Sequence, residues 1–285
     1  MAINAILFHA HTKDNESKQM THVPTAMTIA GSDSGGGAGI QADLKTFAAH
    51  GVYGTSAITT ITAQNTTGVI EVFELPTTLI ASQIDAIVTD IGADVVKIGM
   101  LSSSAIIQVV ADKVKEHNLT KLVVDPVMIA KGGDRLLQEE AVDAMRKVLL
   151  RLAFVITPNA PEAAVLVNRP VENLDDARWA AKELVFMGAK AAIVKGGHLE
   201  GPPTDILYDG NEFRAFTAQR IESTSTHGTG CTFASAVAAN LAKGMTLRDA
   251  VPAAKRYITN AIRNAVAIGH GHGPLNHFYM LNEEI

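Results

Sequence analysis

The chain has 285 residues, of which 47% are hydrophobic and 5% aromatic, and its formal net charge at pH 7 is −5. A mildly acidic chain without a basic cluster argues against a nucleic-acid-binding surface, and a single cysteine excludes an internal disulfide framework. The most apolar segments, such as SAITTITA, are far shorter than the roughly 18–20 residues that cross a bilayer, so we expect a cytoplasmic protein that does not enter a membrane.

The N-terminus differs in pattern from the rest of the chain. Residues 1–24 are mostly polar, and their short apolar run lacks the leading positive region of a signal peptide. We therefore predict a flexible N-terminal extension over residues 1–24 and a single domain over residues 25–285.

From Thr25 onward, strand and helix patterns alternate along the chain. Strands are predicted for AMTIAGSD (26–33), SAITTITAQ (56–64), DVVKIGML, KLVVDPVMIA, FVITPN and AAIVKGGH, followed by a hairpin of ILYDG and EFRAF. Helices are predicted for GIQADLKTFAAHG and near 77–91, 103–117, 138–151, 174–188, 230–243 and 247–268. The alternation predicts an α/β fold with a mainly parallel central sheet and helices on both faces. Because ligands bind beyond the carboxyl ends of the strands in such sheets, the polar strand exits are the candidate sites.

The segment THGTGCTF (226–233) holds the only cysteine of the chain. Gly228, Thr229, Gly230 and Cys231 precede a helix pattern, and their backbone amides would converge on an anion at the N-terminus of that helix. The same position would lower the pKa of the Cys231 thiol toward thiolate formation. The alternative is a glycine-rich turn with a buried, inert cysteine. The motifs GxxxxGK[ST] and GxGxxG after a strand are absent, so a nucleotide site would be of another kind.

Two further strand exits carry polar side chains. In TPNAPE, Asn159 and Glu162 face the same cleft if Pro161 opens a helix, and their oxygens suit Mg²⁺ bound through its waters. The alternative for this pair is simple helix capping. Lys195 follows the buried strand AAIV, which favours a position in the crevice over one on the surface.

Gln64 ends an apolar strand and offers one acceptor and two donors side by side. Such an amide can pair with the edge of an aminopyrimidine, although it can also be a turn residue that binds the backbone.

The histidines His270, His272 and His277 are numerous enough for a metal cluster. Their glycine- and proline-rich loop offers no cysteine and no obvious carboxylate, so we do not predict a metal there.

The assembled motifs resemble those of the ribokinase superfamily, and more closely those of the hydroxymethylpyrimidine/phosphomethylpyrimidine kinases of thiamine biosynthesis. The resemblance covers about residues 26–278, in family order, through TIAGSDSGGGAGIQADLKT, AITTITAQNT, VKIGML, VVDPVMIAKGGD, ITPNAPEA, IVKGGH and THGTGCT. It implies a ribokinase-like fold, ATP bound across the strand ends, Mg²⁺ and a homodimer. The implied substrates are 4-amino-5-hydroxymethyl-2-methylpyrimidine and its monophosphate, which is phosphorylated to the diphosphate.

The resemblance also implies roles for individual residues. The GTGC amides would hold the moving phosphoryl group, and Cys231 occupies the position at which the wider superfamily carries an aspartate base. Asn159 and Glu162 would place Mg²⁺, and Lys195 would add a positive charge near the nucleotide. Gln64 would bind the aminopyrimidine edge in a pocket shaped by Asp43, Thr62, Met100 and Val127.

Three alternatives stay open at this point. A pyridoxine/pyridoxal kinase would carry nearly the same motifs. A cysteine acyl-transfer hydrolase would use Cys231 as nucleophile and His227 as base. A non-catalytic vitamin-binding protein is disfavoured, because a binder needs none of Asn159, Glu162 and Cys231.

Overall fold

The computed structural model describes residues 22–128 and 139–283. Most of the predicted N-terminal extension and the end of the VVDPVMIAKGGD motif (129–134) lie outside the described residues. The strands are β1 (Thr25–Ala30), β2 (Tyr53–Ile58), β3 (Thr60–Asn65), β4 (Gly68–Glu74), β5 (Val95–Ile98), β6 (Leu122–Val124), β7 (Val155–Ile156), β8 (Ala192–Val194), β9 (Thr204–Tyr208) and β10 (Phe213–Thr217). The α-helices are α1 (Gly39–Ala49), α2 (Thr77–Asp90), α3 (Ser104–Glu116), α4 (Glu139–Ala144), α5 (Ala160–Val167), α6 (Leu174–Phe186), α7 (Thr229–Ala242) and α8 (Leu247–Arg263).

Eight strands form one sheet in the order β10-β9-β8-β7-β6-β5-β1-β2. The neighbours from β2 to β8 run parallel, while β8–β9 and β9–β10 are antiparallel. The predicted α/β fold with a mainly parallel sheet is therefore confirmed, as is the hairpin predicted for ILYDG and EFRAF.

Helices cover both faces of this sheet. Alternate residues of the strands belong to two separate apolar clusters, so that Val96 packs on one side and its neighbour Val95 on the other. The first cluster includes Ile80 of α2 and Ile106 of α3, and the second is built on α1, α7 and α8. Within the described ranges, no helix is long and apolar enough to cross a membrane.

The segment SAITTITAQ, predicted as one strand, divides at Thr59. The Thr59 amide donates to the Ala30 carbonyl at 3.0 Å, and its hydroxyl donates to the Met100 carbonyl at 3.2 Å, which holds the turn between β2 and β3. β3 then leaves the main sheet and pairs with β4 in a separate antiparallel hairpin. β4 was not predicted, because it has no buried face and so lacks a two-residue apolar pattern.

Two predicted helices differ in extent. The segment predicted as one helix over 138–151 consists of α4, a π-helical turn at Met145–Leu149 and a short 3₁₀ turn at Leu150–Leu152. The last helix ends at Arg263, before the glycine-rich loop, rather than at residue 268.

Candidate active site

A cavity of about 410 Å³ opens at the carboxyl ends of the parallel strands. Residues that directly follow β1, β5, β6, β7 and β8 line it, as the fold class predicts. The predicted site residues in its wall are Thr62, Gln64, Met100, Val127, Asn159, Glu162, Lys195, Gly228, Thr229, Gly230 and Cys231. Of the predicted set, Asp43 alone is not part of the wall.

The segment from Gly228 to Cys231 forms the N-terminus of α7. Gly228 is the N-cap residue with φ of 81°, and a Cβ there would lie 1.8 Å from the Gly37 carbonyl oxygen, so only glycine fits. Among the described residues, the amides of Gly230 and Cys231 have no hydrogen-bond acceptor. Two unpaired N–H groups and the helix dipole therefore point to an anion such as a phosphate.

Cys231 does not have the activated thiol that its position suggested. Burial raises its pKa to about 11, although the Lys97 charge and a hydrogen bond from the Gly39 amide act in the opposite direction. The nearby carboxylates of Asp43 and Asp125 raise the pKa further. The prediction of a lowered pKa is wrong, because the helix N-terminus is outweighed by the loss of solvent.

Asp43 is fully buried in α1 and lies behind the cavity wall rather than in it. Its carboxylate lies 2.9 Å from the Lys97 ammonium and accepts hydrogen bonds from the hydroxyls of Thr28 at 2.7 Å and Ser235 at 2.6 Å. With its acceptor sites committed to buried donors, Asp43 supports the cavity from behind. Lys97, which does line the cavity, was not identified from the sequence.

Asn159 and Glu162 form a capping box at the start of α5. The side-chain oxygen of Asn159 accepts a hydrogen bond from the backbone N–H of Glu162 at 2.9 Å. The Glu162 carboxylate in turn accepts one from the backbone N–H of Asn159 at 2.8 Å. The capping alternative is thus observed, and Pro161 does lie in the first turn. Capping uses one carboxylate oxygen of Glu162, so the other oxygen is available to the cavity.

Asp125, just after β6, is a site residue that sequence reasoning missed. Its Oδ1 accepts from Lys195 Nζ at 2.9 Å and from the Thr157 hydroxyl at 3.2 Å. Its Oδ2 is buried and has no hydrogen-bond partner among the described residues. As a polar strand exit, DPVM is one of the predicted candidate sites, but nothing in its local pattern distinguishes the aspartate.

The charges around Asp125 fit a divalent cation. Burial raises the pKa of Glu162 to about 7, which the Lys195 charge opposes and the Asp125 charge favours. Two carboxylates thus share one ammonium, and the unpaired Asp125 oxygen needs a positive partner. Carboxylate oxygens are the ligands that Mg²⁺ prefers, so the residues present suit a hydrated Mg²⁺.

His227 directly precedes the Gly228–Cys231 loop and contacts Asp33 in the loop after β1. Its Nε2 lies 2.9 Å from Asp33 Oδ2, and Gln64 of β3 lies 3.3 Å from the same nitrogen. The Asp33 carboxylate also accepts from the amides of Gly35, Gly37 and Ala38. Burial alone would raise the pKa of Asp33, but the hydrogen bonds from His227 and these amides lower it below its usual value.

This pairing removes the main support for a cysteine hydrolase. His227 commits Nε2 to Asp33, and Cys231 keeps a protonated thiol at neutral pH, so an activated cysteine–histidine pair is not formed. The three histidines of the glycine- and proline-rich loop lie in different surroundings. His270 and His272 are exposed, whereas His277 is buried against the Thr232 hydroxyl at 3.0 Å, and burial lowers its pKa to about 4.

Comparison with known proteins gives a consistent result. A model of the phosphomethylpyrimidine kinase family matches residues 33–276. The hydroxymethylpyrimidine/phosphomethylpyrimidine kinase of Bacillus subtilis (strain 168) is 49% identical over 255 residues, which are 89% of this chain and 94% of that protein. The thiamine biosynthesis bifunctional protein ThiED of Geobacter sulfurreducens is 51% identical over 254 residues, which are 89% of this chain and 52% of that protein. This chain therefore spans about half the length of the bifunctional relative.

Among solved structures, the ADP complex of Bacillus subtilis pyridoxal kinase matches with a TM-score of 0.85 and 40% sequence identity. The match covers 92% of this chain and 100% of that one, so the ribokinase-like fold is confirmed. Since the family model spans most of the chain and the Bacillus kinase is matched over nearly its full length, this chain belongs to the phosphomethylpyrimidine kinase family.

Proposed function

We propose that this protein transfers the γ-phosphoryl group of ATP to the hydroxymethyl group of 4-amino-5-hydroxymethyl-2-methylpyrimidine, and then a second one to the resulting monophosphate. The observation that carries the proposal is that one cavity holds both a Gln64 amide and an anion-binding helix N-terminus. Family membership supports the same reaction, because the matched relatives are phosphotransferases of thiamine biosynthesis.

The phosphoryl group is held by the loop at the start of α7. The free amides of Gly230 and Cys231 donate to its oxygens, and the α7 dipole adds to their effect. Lys195 supplies a positive charge beside this loop, since a Cβ on Gly230 would lie 3.2 Å from Lys195 Nζ. Burial would lower the pKa of Lys195, but the charges of Asp125 and Glu162 raise it, so the ammonium stays charged.

Glu162 and the unpaired oxygen of Asp125 would hold Mg²⁺ through its waters. Asn159 commits its amide oxygen to the helix cap, so it acts mainly by fixing Glu162. When bound, Mg²⁺ neutralises charge on the phosphate oxygens. The protein thus supplies the carboxylates of Asp125 and Glu162, and the Lys195 charge only partly offsets their mutual repulsion.

The acceptor alcohol binds at the β3 end of the cavity. Gln64 accepts a hydrogen bond from the 4-amino group and donates one to the neighbouring ring nitrogen. Thr62, Met100 and Val127 shape the surrounding wall, and Asp43 contributes only through Lys97.

In the first step, the alcohol oxygen bonds to the γ-phosphorus while the bond from that phosphorus to the β,γ-bridging oxygen breaks, and ADP leaves. The alcohol proton is released as the new bond forms. Transfer through a loose transition state depends mostly on positioning and charge, so a neutral Cys231 thiol beside the acceptor is compatible with it. In the second step, a phosphate oxygen attacks in the same way and carries no proton to remove, because the second pKa of a phosphate monoester is about 6.

A pyridoxine/pyridoxal kinase activity is the second candidate. It is favoured by the similarity to Bacillus subtilis pyridoxal kinase over nearly the whole chain. Both acceptors carry a hydroxymethyl group on a nitrogen heterocycle, so only the groups at the ring edge distinguish them.

A homodimer is part of the proposal, and the β3–β4 hairpin is the surface that supports it. Ile61, Ile70, Val72 and Phe73 are exposed on this hairpin, and Ile70 is 77% accessible. Exposed apolar side chains clustered on one hairpin are typical of an interface between subunits. We further propose a single domain over residues 25–285 and a cytoplasmic location, which suits a chain with one cysteine.

The direct test is incubation of the full chain with ATP, Mg²⁺ and the pyrimidine alcohol, followed by mass analysis. We expect the monophosphate first and the diphosphate later, with one ADP formed for each monophosphate and two for each diphosphate. Parallel reactions with pyridoxine and pyridoxal measure the second activity. Turnover of the pyridine alcohols alone would overturn the proposed function.

A further inference from the structure

The hydrogen bonds around Asp33 determine where the proton of His227 lies. Three backbone amides donate to the Asp33 carboxylate, at distances of 2.8–3.0 Å. These donors keep the carboxylate ionised, so it can only accept. Since His227 Nε2 lies 2.9 Å from Asp33 Oδ2, that nitrogen must carry a hydrogen and donate it.

The proton on His227 in turn determines the orientation of the Gln64 amide. The Gln64 amide approaches His227 Nε2 at 3.3 Å. With the NH₂ end at this contact, a donor would face a donor. With the amide turned by 180°, its oxygen faces the His227 N–H, which it shares with Asp33 as a three-centre hydrogen bond.

Thr62 selects the same orientation from the other end of the amide. Its hydroxyl donates to the Ser32 carbonyl at 2.9 Å, so only the lone pairs of Thr62 Oγ1 face Gln64 at 3.3 Å. Because this hydroxyl already donates its one hydrogen to Ser32, it can only accept a hydrogen bond from Gln64. The NH₂ end of Gln64 therefore belongs beside Thr62, and both neighbours of the amide agree.

We propose that the Asp33–His227 pair is a specificity-determining device, which fixes the Gln64 amide with its oxygen toward His227 and its NH₂ group toward Thr62. This inference rests on the proposed function, in which Gln64 binds the acceptor ring. It makes His227 a positioning residue that acts through Gln64.

The fixed amide determines which hydrogen-bonding groups the acceptor ring must carry and how the ring is oriented in the cavity. Its oxygen requires a donor, the 4-amino group, on the side of His227, and its NH₂ requires an acceptor, ring nitrogen 3, on the side of Thr62. The 5-hydroxymethyl group lies beyond the amino group and away from that nitrogen. It therefore points toward the Gly228–Cys231 loop, where the phosphoryl group is transferred.

The test uses two alcohols that differ at one ring edge. The 4-oxo analogue, 5-hydroxymethyl-2-methylpyrimidin-4-one, presents a carbonyl at position 4 and an N–H at position 3, so it needs the opposite amide orientation. The quantity to measure is the ratio of kcat/KM for the 4-amino alcohol to kcat/KM for the 4-oxo alcohol, with Kd by calorimetry where turnover is too slow. We expect wild type to favour the 4-amino alcohol strongly, because the wrong edge leaves buried polar groups unpaired.

His227→Leu removes the fixed donor and frees the Gln64 amide to turn. We expect the ratio to fall by about tenfold or more, the effect of one misdirected hydrogen bond. His227→Gln, which can still donate toward Asp33, should restore most of the ratio and also covers the case of a poorly folded leucine variant. His50→Leu is the matched control, because His50 bonds the Thr46 carbonyl away from the cavity, and it should leave the ratio unchanged.

The Gln64→Ala background separates the two levels of the proposal. There, His227→Leu should no longer change the ratio, because the amide through which it acts is gone. An equal loss of kcat/KM for both alcohols in His227→Leu would overturn the inference. His227 would then only connect two loops structurally. A Gln64→Ala variant that keeps the wild-type ratio would instead overturn the proposed mode of acceptor recognition.

Discussion

The Lys97 ammonium lies 2.9 Å from the Asp43 carboxylate, and neither side chain is accessible to solvent. Burial by itself would lower the pKa of Lys97, but the Asp43 charge raises it above its usual value. The pair is therefore ionised beneath the cavity. It places a fixed positive charge near Cys231 without exposing a carboxylate to the substrate.

Loss of the Asp43 charge should destabilise the protein strongly. Asp43→Asn leaves a buried Lys97 ammonium without a counter-charge, and we expect the free energy of unfolding to fall by about 3–5 kcal/mol. Adding Lys97→Met should recover much of this loss. Urea unfolding measures both, and Asp85→Asn is the control, because its partly exposed contacts with Lys113 and His117 should each contribute within about 1 kcal/mol. A loss in Asp43→Asn no larger than in Asp85→Asn would contradict the argument.

Gln64→Ala should weaken binding of the pyrimidine alcohol while ATP affinity stays nearly unchanged. Two neutral hydrogen bonds are lost, which corresponds to about 1–3 kcal/mol, or roughly a ten- to hundredfold rise in KM for the alcohol. Steady-state kinetics with each substrate varied in turn measures the two effects. An unaltered KM for the alcohol would show that Gln64 does not contact the ring.

Cys231→Asp should affect the second phosphorylation more than the first. The second acceptor is a phosphate dianion, and a permanent carboxylate at ~4 Å costs about 4 kcal/mol per pair of unit charges at an effective dielectric of ~20. The first acceptor is a neutral alcohol and avoids this repulsion. Cys231→Ser stays neutral, like the protonated thiol, so it should not impair the second step selectively.

The measurement for these variants is kcat/KM for the alcohol and for its monophosphate separately. Equal losses for both acceptors in Cys231→Asp would refute the charge argument. Cys231 would then be a packing or positioning residue.

The thiol of Cys231 should react slowly at neutral pH. Because burial raises its pKa to about 11, the rate of alkylation by iodoacetamide should still rise about tenfold per pH unit between pH 8 and 10. The chain has no other cysteine, so incorporated label reports on this thiol alone. The urea-unfolded protein is the control and should level off near pH 9, since a free thiol has a pKa of about 8.5. A plateau below pH 8 in the folded protein would contradict the raised pKa.

Removal of residues 1–21 should leave the melting temperature nearly unchanged. The segment is polar and lacks a periodic apolar face, so little burial would be lost. His22, which lies 2.9 Å from Asp94, is retained in this variant. A fall of many degrees in the melting curve would show that the domain begins before Thr25.

The amino-acid pattern was enough to predict the α/β alternation and the approximate position of the site. Buried apolar runs ending in polar, glycine-rich exits mark parallel strands, and the exits of parallel strands meet at one edge of the sheet. For this reason, Asn159 and Lys195 could be expected in one crevice without any knowledge of their contacts, whereas Gln64 reaches it on the β3–β4 hairpin outside the main sheet. The exposed strand β4 escaped prediction, because a strand with no buried face has no apolar pattern.

Which side chains are in contact depends on how distant segments of the chain pack together. Lys97 and Asp43 are 54 positions apart, and His227 and Asp33 are 194 apart, so no local pattern connects them. The same packing overturned the expectation for Cys231. A helix N-terminus lowers a thiol pKa locally, but the loss of solvent, which depends on how the loops and α7 pack together, raises it by more.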